Sequence, residues 1–145
     1  MEFLKFLVPV SGEKADDEAV RLACMLARRS KAMLYVVYVI EVKRSLPLDV
    51  ESESDTEKGE EVLARAGRIA DTMHCPVETE LLQAREVGPA IVDEAVERSV
   101  DVIVMGINYK RRFGEFDVGS AMPYVFKNAP CHVLLWREPS EQVAT

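Results

Sequence analysis

The amino-acid sequence predicts an α/β domain built on an open, doubly wound sheet of five parallel strands with helices on both faces. Short apolar runs alternate with amphipathic stretches of helical period, in the order βαβαβαβαβ. The first two runs, residues 3–10 and 33–42, are apolar and β-branched with almost no alternation, which is typical of parallel strands covered on both faces. With 145 residues, of which 48% are apolar, residues 1–145 are predicted to form a single domain.

The first strand is predicted to end where Ser11 and Gly12 supply turn chemistry. A helix should follow over residues 16–30, because apolar residues recur at helical spacing and three acidic residues occupy its first turn. Asp17 is expected to pair with Arg21 on the solvent side of this helix.

After the second strand, residues 43–53 are rich in serine and acid and are interrupted by Pro47, so we expect a mobile loop. Ser54 and Glu57 fit a capping box, which predicts that the second helix starts there. This helix should end near Pro76.

Residues 77–82 alternate between apolar and polar side chains, which indicates a strand at the sheet edge. A third helix is predicted to open at Gly88 and Pro89, with Glu94 paired to Arg98. The remaining predicted elements are a strand at residues 102–105, a helix capped by Ser120, and a strand at residues 132–136.

Composition excludes several classes of function. The 18 basic residues are outnumbered by 25 acidic ones, and the net charge of −7 would repel nucleic acid. The apolar start of the chain, roughly eight residues long, is too short for a membrane-spanning helix, so no membrane insertion is expected. Cys24, Cys75 and Cys131 are widely spaced in apolar segments, which favours buried thiols in a reducing compartment and a cytoplasmic location.

No catalytic or metal-binding constellation is recognisable in the sequence. His74 and His132 are the only histidines, and neither has the spacing of a metal ligand or of a catalytic base. Ser11 and Ser120 could meet at the strand ends, but no base is placed to activate them. We therefore predict that the protein is not an enzyme.

Four segments carry a resemblance to a known family: VPVSG at residues 8–12, DVIVMG at residues 101–106, Gly119 with Ser120, and APCHVLLW at residues 129–136. In this order and spacing they resemble the universal stress protein family over essentially the whole chain. The resemblance implies a Rossmann-like sheet of strand order 3-2-1-4-5 and a role in sensing or regulation during stress.

In nucleotide-binding members of that family, the loop after strand four reads Gly, two residues, Gly, nine residues, Gly, then Ser or Thr. Glycines let backbone amides approach a phosphate closely. Gly106, Gly119 and Ser120 match this pattern, whereas Tyr109 stands at the second glycine and Ser11 stands where these members carry aspartate. The resemblance thus implies a site for ATP or a related adenine nucleotide, accompanied by Mg²⁺, lined by Pro9, Val10, Ser11, Val39, Met105, Gly106, Tyr109, Gly119, Ser120, Ala121 and Met122.

Two interpretations remain open for this loop. A turn and a helix cap would explain Gly119 and Ser120 without any ligand. If the nucleotide has been lost, the chain would act as a protein-interaction module that regulates a transporter or signalling partner, and both Ser11 and Tyr109 favour this alternative.

The resemblance also implies a homodimer in which the fifth strand pairs with its twin. Independently, the segment from Cys131 to Trp136 is apolar and contains neither charge nor proline, so an uncovered edge there would expose amides and large side chains. The competing interpretation is that residues 140–145 of the polar tail, which spans residues 138–145, fold back over this edge and leave a monomer.

Overall fold

The computed structural model describes residues 3–108 and 121–139. Within them, helices and strands alternate in the predicted order. The bounds are β1 Lys5–Val10, α1 Ala15–Ser30, β2 Met33–Glu41, α2 Glu53–Thr72, β3 Val77–Ala84, α3 Val87–Glu97, β4 Val102–Ile107, α4 Met122–Asn128 and β5 His132–Arg137. The five strands form one parallel sheet of order β3-β2-β1-β4-β5, so the predicted fold class and strand order are confirmed.

Two apolar clusters cover the two faces of the sheet. The first cluster joins α1 and α2 to side chains such as Phe6, Val8 and Val104. The second cluster joins α3 and α4 to side chains that alternate with these along the same strands, such as Leu7 and Ile103. Because successive strand residues point to opposite faces, a strand covered on both sides must be apolar throughout, and β1 is.

The predicted pairing of Asp17 with Arg21 is wrong. Asp17 instead accepts two hydrogen bonds from Arg65 of α2, at 2.9 Å from Nε and 2.6 Å from Nη2. Arg21 pairs with Glu18, at 2.6 Å. A guanidinium binds a carboxylate best through two parallel bonds, and Arg65 can offer both from the neighbouring helix. The pair joins α1 to α2.

The start of α2 also differs from the prediction. The helix begins at Glu53, and its N-cap is Ser52, whose hydroxyl accepts a hydrogen bond from the Asp55 amide at 3.4 Å. The capping box at Ser54 and Glu57 is therefore wrong. Ser52 has extended backbone angles, as an N-cap requires, whereas Ser54 already lies inside the helix.

Turns and side chains hold the segment that precedes α2. The side-chain nitrogen of Gln83 donates to the carbonyls of Leu48 and Val50, at 2.9 and 2.7 Å. Arg85 donates to the carbonyls of Lys43 and Leu46, at 2.6 and 2.8 Å. The segment thus lies against the end of β3, and its mobility stays a prediction.

The predicted edge position of β3 is confirmed, as is the pairing of Glu94 with Arg98. The Arg98 guanidinium bonds the carboxylates of Glu94 and Glu80 and stacks over the Tyr35 ring at 4.4 Å. Glu94 is buried, and this burial raises the pKa of its carboxyl. The network fixes α3 across β2 and β3.

At the other end of the sheet, the N-cap position of α4 is held by Ala121, which makes no side-chain cap hydrogen bond. Ser120, the predicted cap, lies outside the described residues.

β5 pairs with β4 and occupies the second edge of the sheet. Among the residues that the structure describes, no helix combines the length and apolarity needed to cross a membrane.

Candidate functional site

The chain changes its winding direction between β1 and β4, the adjacent strands at the centre of the sheet. α1, which follows β1, packs in the first cluster, whereas α4 packs in the second. Helices that leave neighbouring strands toward opposite faces open a crevice beyond the carboxyl ends of those strands. The candidate site is therefore the rim formed by the ends of β1 and β4.

The loop after β1 is organised by Asp16, in the first turn of α1. The Asp16 carboxylate accepts the Gly12 amide at 2.8 Å and the Ser11 amide at 3.2 and 3.3 Å. Gly12 has a φ of +93°, a conformation that L side chains rarely adopt. Asp16 and Gly12 together fold the loop back onto the start of its own helix.

Asp16 is a buried acid, with 8% of its surface exposed. Burial disfavours the ionised form and raises the pKa of the carboxyl to about 6, although the backbone amides of Gly12 and Ser11 oppose this shift. The carboxyl thus titrates near neutral pH at a place that controls the loop. Both loop amides are already engaged by it, so a ligand there would meet the exposed side chain of Ser11.

Asn108, directly after β4, connects the two loops of the rim. Its Oδ1 accepts the Ala15 amide at 2.9 Å, and its Nδ2 donates to the Glu13 carboxylate at 2.7 Å. The N-cap residue of α1, Lys14, makes no side-chain cap hydrogen bond. Asn108 therefore caps α1 from the far side of the crevice and fixes the distance between the two strand ends.

Gly106 lies where α1 crosses β4 most closely. A Cβ at this position would stand 2.5 Å from the Ala15 carbonyl oxygen and 3.0 Å from Ala19 Cβ. Only glycine fits such an approach of helix backbone to strand backbone. The structure thus gives Gly106 a packing role on the α1 side of the sheet, and phosphate binding at this residue stays a prediction.

The predicted lining residues divide between the two faces. Val10 is buried in the first cluster, on the same side as Gly106. Four other predicted lining residues belong to the second cluster or pack against it: Val39, Met105, Ala121 and Met122. Met105 is buried, and the other three are partly buried. Pro9 is partly buried and, two residues after Leu7, faces the same side. We call Pro9, Val39, Met105, Ala121 and Met122 the apolar platform.

Three predicted site residues, Tyr109, Gly119 and Ser120, lie outside the described residues. The platform nonetheless suits a flat, apolar ligand group, since most of its side chains are apolar and only partly buried.

Asp16 and Asn108 were not predicted as site residues. The signal for Asp16 was present, because it precedes Ala19 and Ala23 by three and seven residues and so falls on the buried stripe of α1. Nothing in the sequence distinguishes Asn108 from an ordinary loop asparagine, since its partner Ala15 is 93 residues away.

A second concavity of about 350 Å³ lies on the other side of the first loop, between α1 and α2. Gly12, Asp16 and Asp17 line it on one side, and α2 contributes Arg65 and Arg68. The Asp17 and Arg65 ion pair crosses it, and Arg65 lowers the pKa of the Asp17 carboxyl. This concavity separates the two helices and does not include the apolar platform.

Within residues 3–108 and 121–139, no three His, Cys, Asp or Glu side chains stand close enough to hold a metal ion. His74 is exposed in the turn after α2, and His132 is exposed on β5 with its ring 5.3 Å from that of Phe3. Neither histidine lies at the rim of β1 and β4.

Comparison with known proteins identifies relatives along almost the entire chain. The model of the universal stress protein family matches residues 2–137. A universal stress protein of Methanocaldococcus jannaschii is 30% identical over 146 aligned positions, which cover 97% of this chain and 85% of that protein.

Two solved structures from Archaeoglobus fulgidus share the fold. A universal stress protein superposes with a TM-score of 0.78 at 25% identity, over 92% of this chain and 98% of that one. The universal stress protein in complex with dAMP superposes with a TM-score of 0.73 at 25% identity, over 93% and 98% of the two chains.

Proposed function

The chain belongs to the universal stress protein family, and on that premise we propose that it is a cytoplasmic regulatory module that binds ATP or a related adenine nucleotide. The proposed site lies across the loops after β1 and β4. Binding and its effect on a partner, rather than catalysis, would be its role.

One observation carries this proposal: the Archaeoglobus fulgidus relative, which shares the fold along nearly all of both chains, holds dAMP. Ligands of doubly wound sheets bind at the switch point between the central strands, which here are β1 and β4. The adenine base, which dAMP shares with ATP, is the part of the ligand whose binding this comparison supports most directly.

The apolar platform supports the proposal from the side of this chain. An adenine ring is flat and largely apolar on its faces, and partly buried aliphatic and thioether side chains provide a surface for it. Ser11, two residues after Pro9, carries an exposed hydroxyl where relatives with aspartate would offer a carboxylate. A hydroxyl is uncharged, so we expect weaker affinity than an aspartate would give.

The phosphates would lie toward the loop that contains Gly119 and Ser120. Mg²⁺ usually keeps several waters and is held chiefly by phosphate oxygens with few protein carboxylates. A magnesium ion would therefore enter this site with a di- or triphosphate, and AMP or dAMP would need none.

The test replaces Gly119 with valine and measures binding of dAMP, AMP and ATP by isothermal titration calorimetry. Backbone obstruction in the phosphate loop should weaken binding by at least about tenfold. Gly67→Ala is the matched control, because a Cβ there meets nothing within 4 Å. Equal affinity of folded Gly119→Val and wild-type protein would remove this loop from the site.

A companion variant, Tyr109→Gly, restores the glycine of the family pattern. If Tyr109 occupies the phosphate path, binding of ATP should tighten and binding of adenosine should not change. Weaker or unchanged ATP binding would show that Tyr109 does not obstruct the site.

The second candidate is a dimeric interaction module without nucleotide. The observation that favours it is the edge strand β5, where Leu134 is 38% exposed and, among the described residues, only β4 pairs with the strand. A twin β5 related by a two-fold axis would cover this edge. If no adenine nucleotide binds the wild-type protein while it sediments as a dimer, this candidate replaces the first.

A further inference from the structure

Strands β1 and β4 are neighbours at the centre of the sheet, but they pair along only part of their length. Their register joins Phe6 to Val102 and Leu7 to Ile103, and no further pair joins the two strands, both of which the structure describes in full. By contrast, β1 pairs with β2 along all of its residues, and β4 does the same with β5. The boundary between β1 and β4, which we call the central seam, therefore lacks paired residues toward the rim.

The opposite end of the central seam is held by several hydrogen bonds. The Asp101 amide donates to the Lys5 carbonyl at 2.9 Å. The Asp101 carboxylate accepts the amides of Leu4 and Lys5, at 2.8 and 3.0 Å. These bonds and the two strand pairs fix the amino ends of β1 and β4, whereas the separation of their carboxyl ends depends on other contacts.

Two contacts join the start of α1 to the carboxyl end of β4. Gly106 permits the close approach, since a Cβ there would stand 2.5 Å from the Ala15 carbonyl oxygen. Asn108 holds it, because its Oδ1 accepts the Ala15 amide at 2.9 Å and its Nδ2 donates to the Glu13 carboxylate at 2.7 Å. Both polar groups of the Asn108 side chain thus act across the central seam.

The loop after β1 is shaped by bonds of its own. The Asp16 carboxylate accepts the amides of Ser11 and Gly12, and the Asp16 amide donates to the Glu13 carbonyl at 3.1 Å. All of these bonds lie within residues 11–16, so they fix the shape of the loop but not its distance from β4. That distance, and with it the place of Ser11, depends on the contacts that cross the central seam.

We propose that Asn108 is a positioning residue of the crevice: by holding the start of α1 against β4, it sets the separation of Ser11 from Met105 and thereby the affinity for the ligand. This inference rests on the proposed function, in which the adenine nucleotide lies across the same two strand ends. If the two ends are already held at the required separation, less conformational freedom is lost on binding and the affinity is higher.

The two hydrogen bonds of Asn108 allow a test by exchange of donor and acceptor. Asn108→Asp keeps an oxygen for the Ala15 amide but places a second carboxylate beside Glu13. Adding Glu13→Gln restores the second bond with its direction reversed, because a glutamine side chain donates and a carboxylate accepts. Asn128→Asp is the matched control, since the Asn128 side chain donates to the Tyr124 carbonyl within α4, at 3.0 Å.

Binding of dAMP and of adenosine is measured by isothermal titration calorimetry on variants whose circular dichroism shows that they are folded. Asn108→Ala and Asn108→Asp should each weaken binding of both ligands at least about fivefold, and the double variant should return to within about twofold of the wild type. Asn128→Asp should bind as the wild type does. In the wild type, hydrogen exchange of the Ala15 amide should slow when dAMP binds, and Asn108→Ala should abolish this response.

Several outcomes would overturn the positioning role while the proposed function stands. They are wild-type affinity in folded Asn108→Ala, no recovery in the double variant, and a loss in Asn108→Asp that affects dAMP but spares adenosine, because the new carboxylate would then act by repelling phosphate. Unchanged exchange of the wild-type Ala15 amide at saturating dAMP would overturn it even if every variant failed to fold. Wild-type protein that binds neither ligand would instead overturn the proposed function, and the positioning role with it.

Discussion

The close crossing of α1 over β4 makes Gly106→Ala the most informative single change for the architecture of the site. The added Cβ would lie 2.5 Å from the Ala15 carbonyl oxygen, 3.0 Å from its carbonyl carbon and 3.0 Å from Ala19 Cβ. Two of these atoms belong to the backbone, so relief requires the start of α1 to move away from β4. That start also carries the amide that Asn108 caps.

Overpacking of this kind costs about 2 kcal/mol, and for a chain of this size we expect the melting temperature to fall by about 6 °C. The assay is unfolding in guanidinium chloride, with calorimetry for the melting temperature. Gly67→Ala is the matched control, since it lies within α2 with open space around it and should gain roughly 0.5–1 kcal/mol from helix propensity. A Gly106→Ala protein as stable as the wild type would refute the close-approach argument.

Three further predictions follow from the charged network, the buried acid and the sheet edge. The folded pKa of Asp16 is about 6 against an ordinary 3.8, so between those values the folded state holds a proton that the unfolded state has lost, and stability falls as pH rises. The wild type should lose about 2.4 kcal/mol of stability relative to Asp16→Asn between pH 4 and 7, and parallel pH profiles would contradict this. Arg98→Met leaves buried Glu94 without its cation and should lower the free energy of unfolding in urea by about 3 kcal/mol. Adding Glu94→Gln should recover part of this loss, and a loss under about 1 kcal/mol would show that the network is dispensable for stability. Leu134→Lys places two like charges at the proposed β5 contact and should weaken dimerisation at least about tenfold in sedimentation equilibrium, whereas a wild-type monomer would exclude the dimer.

The order and type of the elements could be predicted because the helices show a helical period, whereas the strands are short runs that are either apolar throughout or alternate. β1 and β2 are apolar on both faces, and only a sheet covered by two helical layers accommodates that pattern. Boundaries and pairings were less predictable. Asp17 had basic groups available both within its own helix and across in α2, and only the packing of the helices selects Arg65.

The candidate site was partly predictable for the same physical reason. Its place at the ends of β1 and β4 follows from sheet topology, which the element order determines. The contacts that shape the rim join residues far apart in the chain, as Asn108 and Ala15 are, and no local pattern reports them. Gly106 illustrates the ambiguity: a phosphate loop and a tight helix crossing both require glycine, and the structure supports the second reason.

The measurement that tests the proposed function most directly is methyl NMR of the labelled wild-type protein during titration with dAMP. Every member of the apolar platform except Pro9 carries a methyl group, so Val39, Met105, Ala121 and Met122 should show saturable shifts with a common dissociation constant. Ala70, buried in the first cluster, provides the internal reference and should not move. Saturation at the platform alone is the predicted result. Unperturbed platform methyls at saturating dAMP, or shifts confined to the first cluster, would contradict the proposed site.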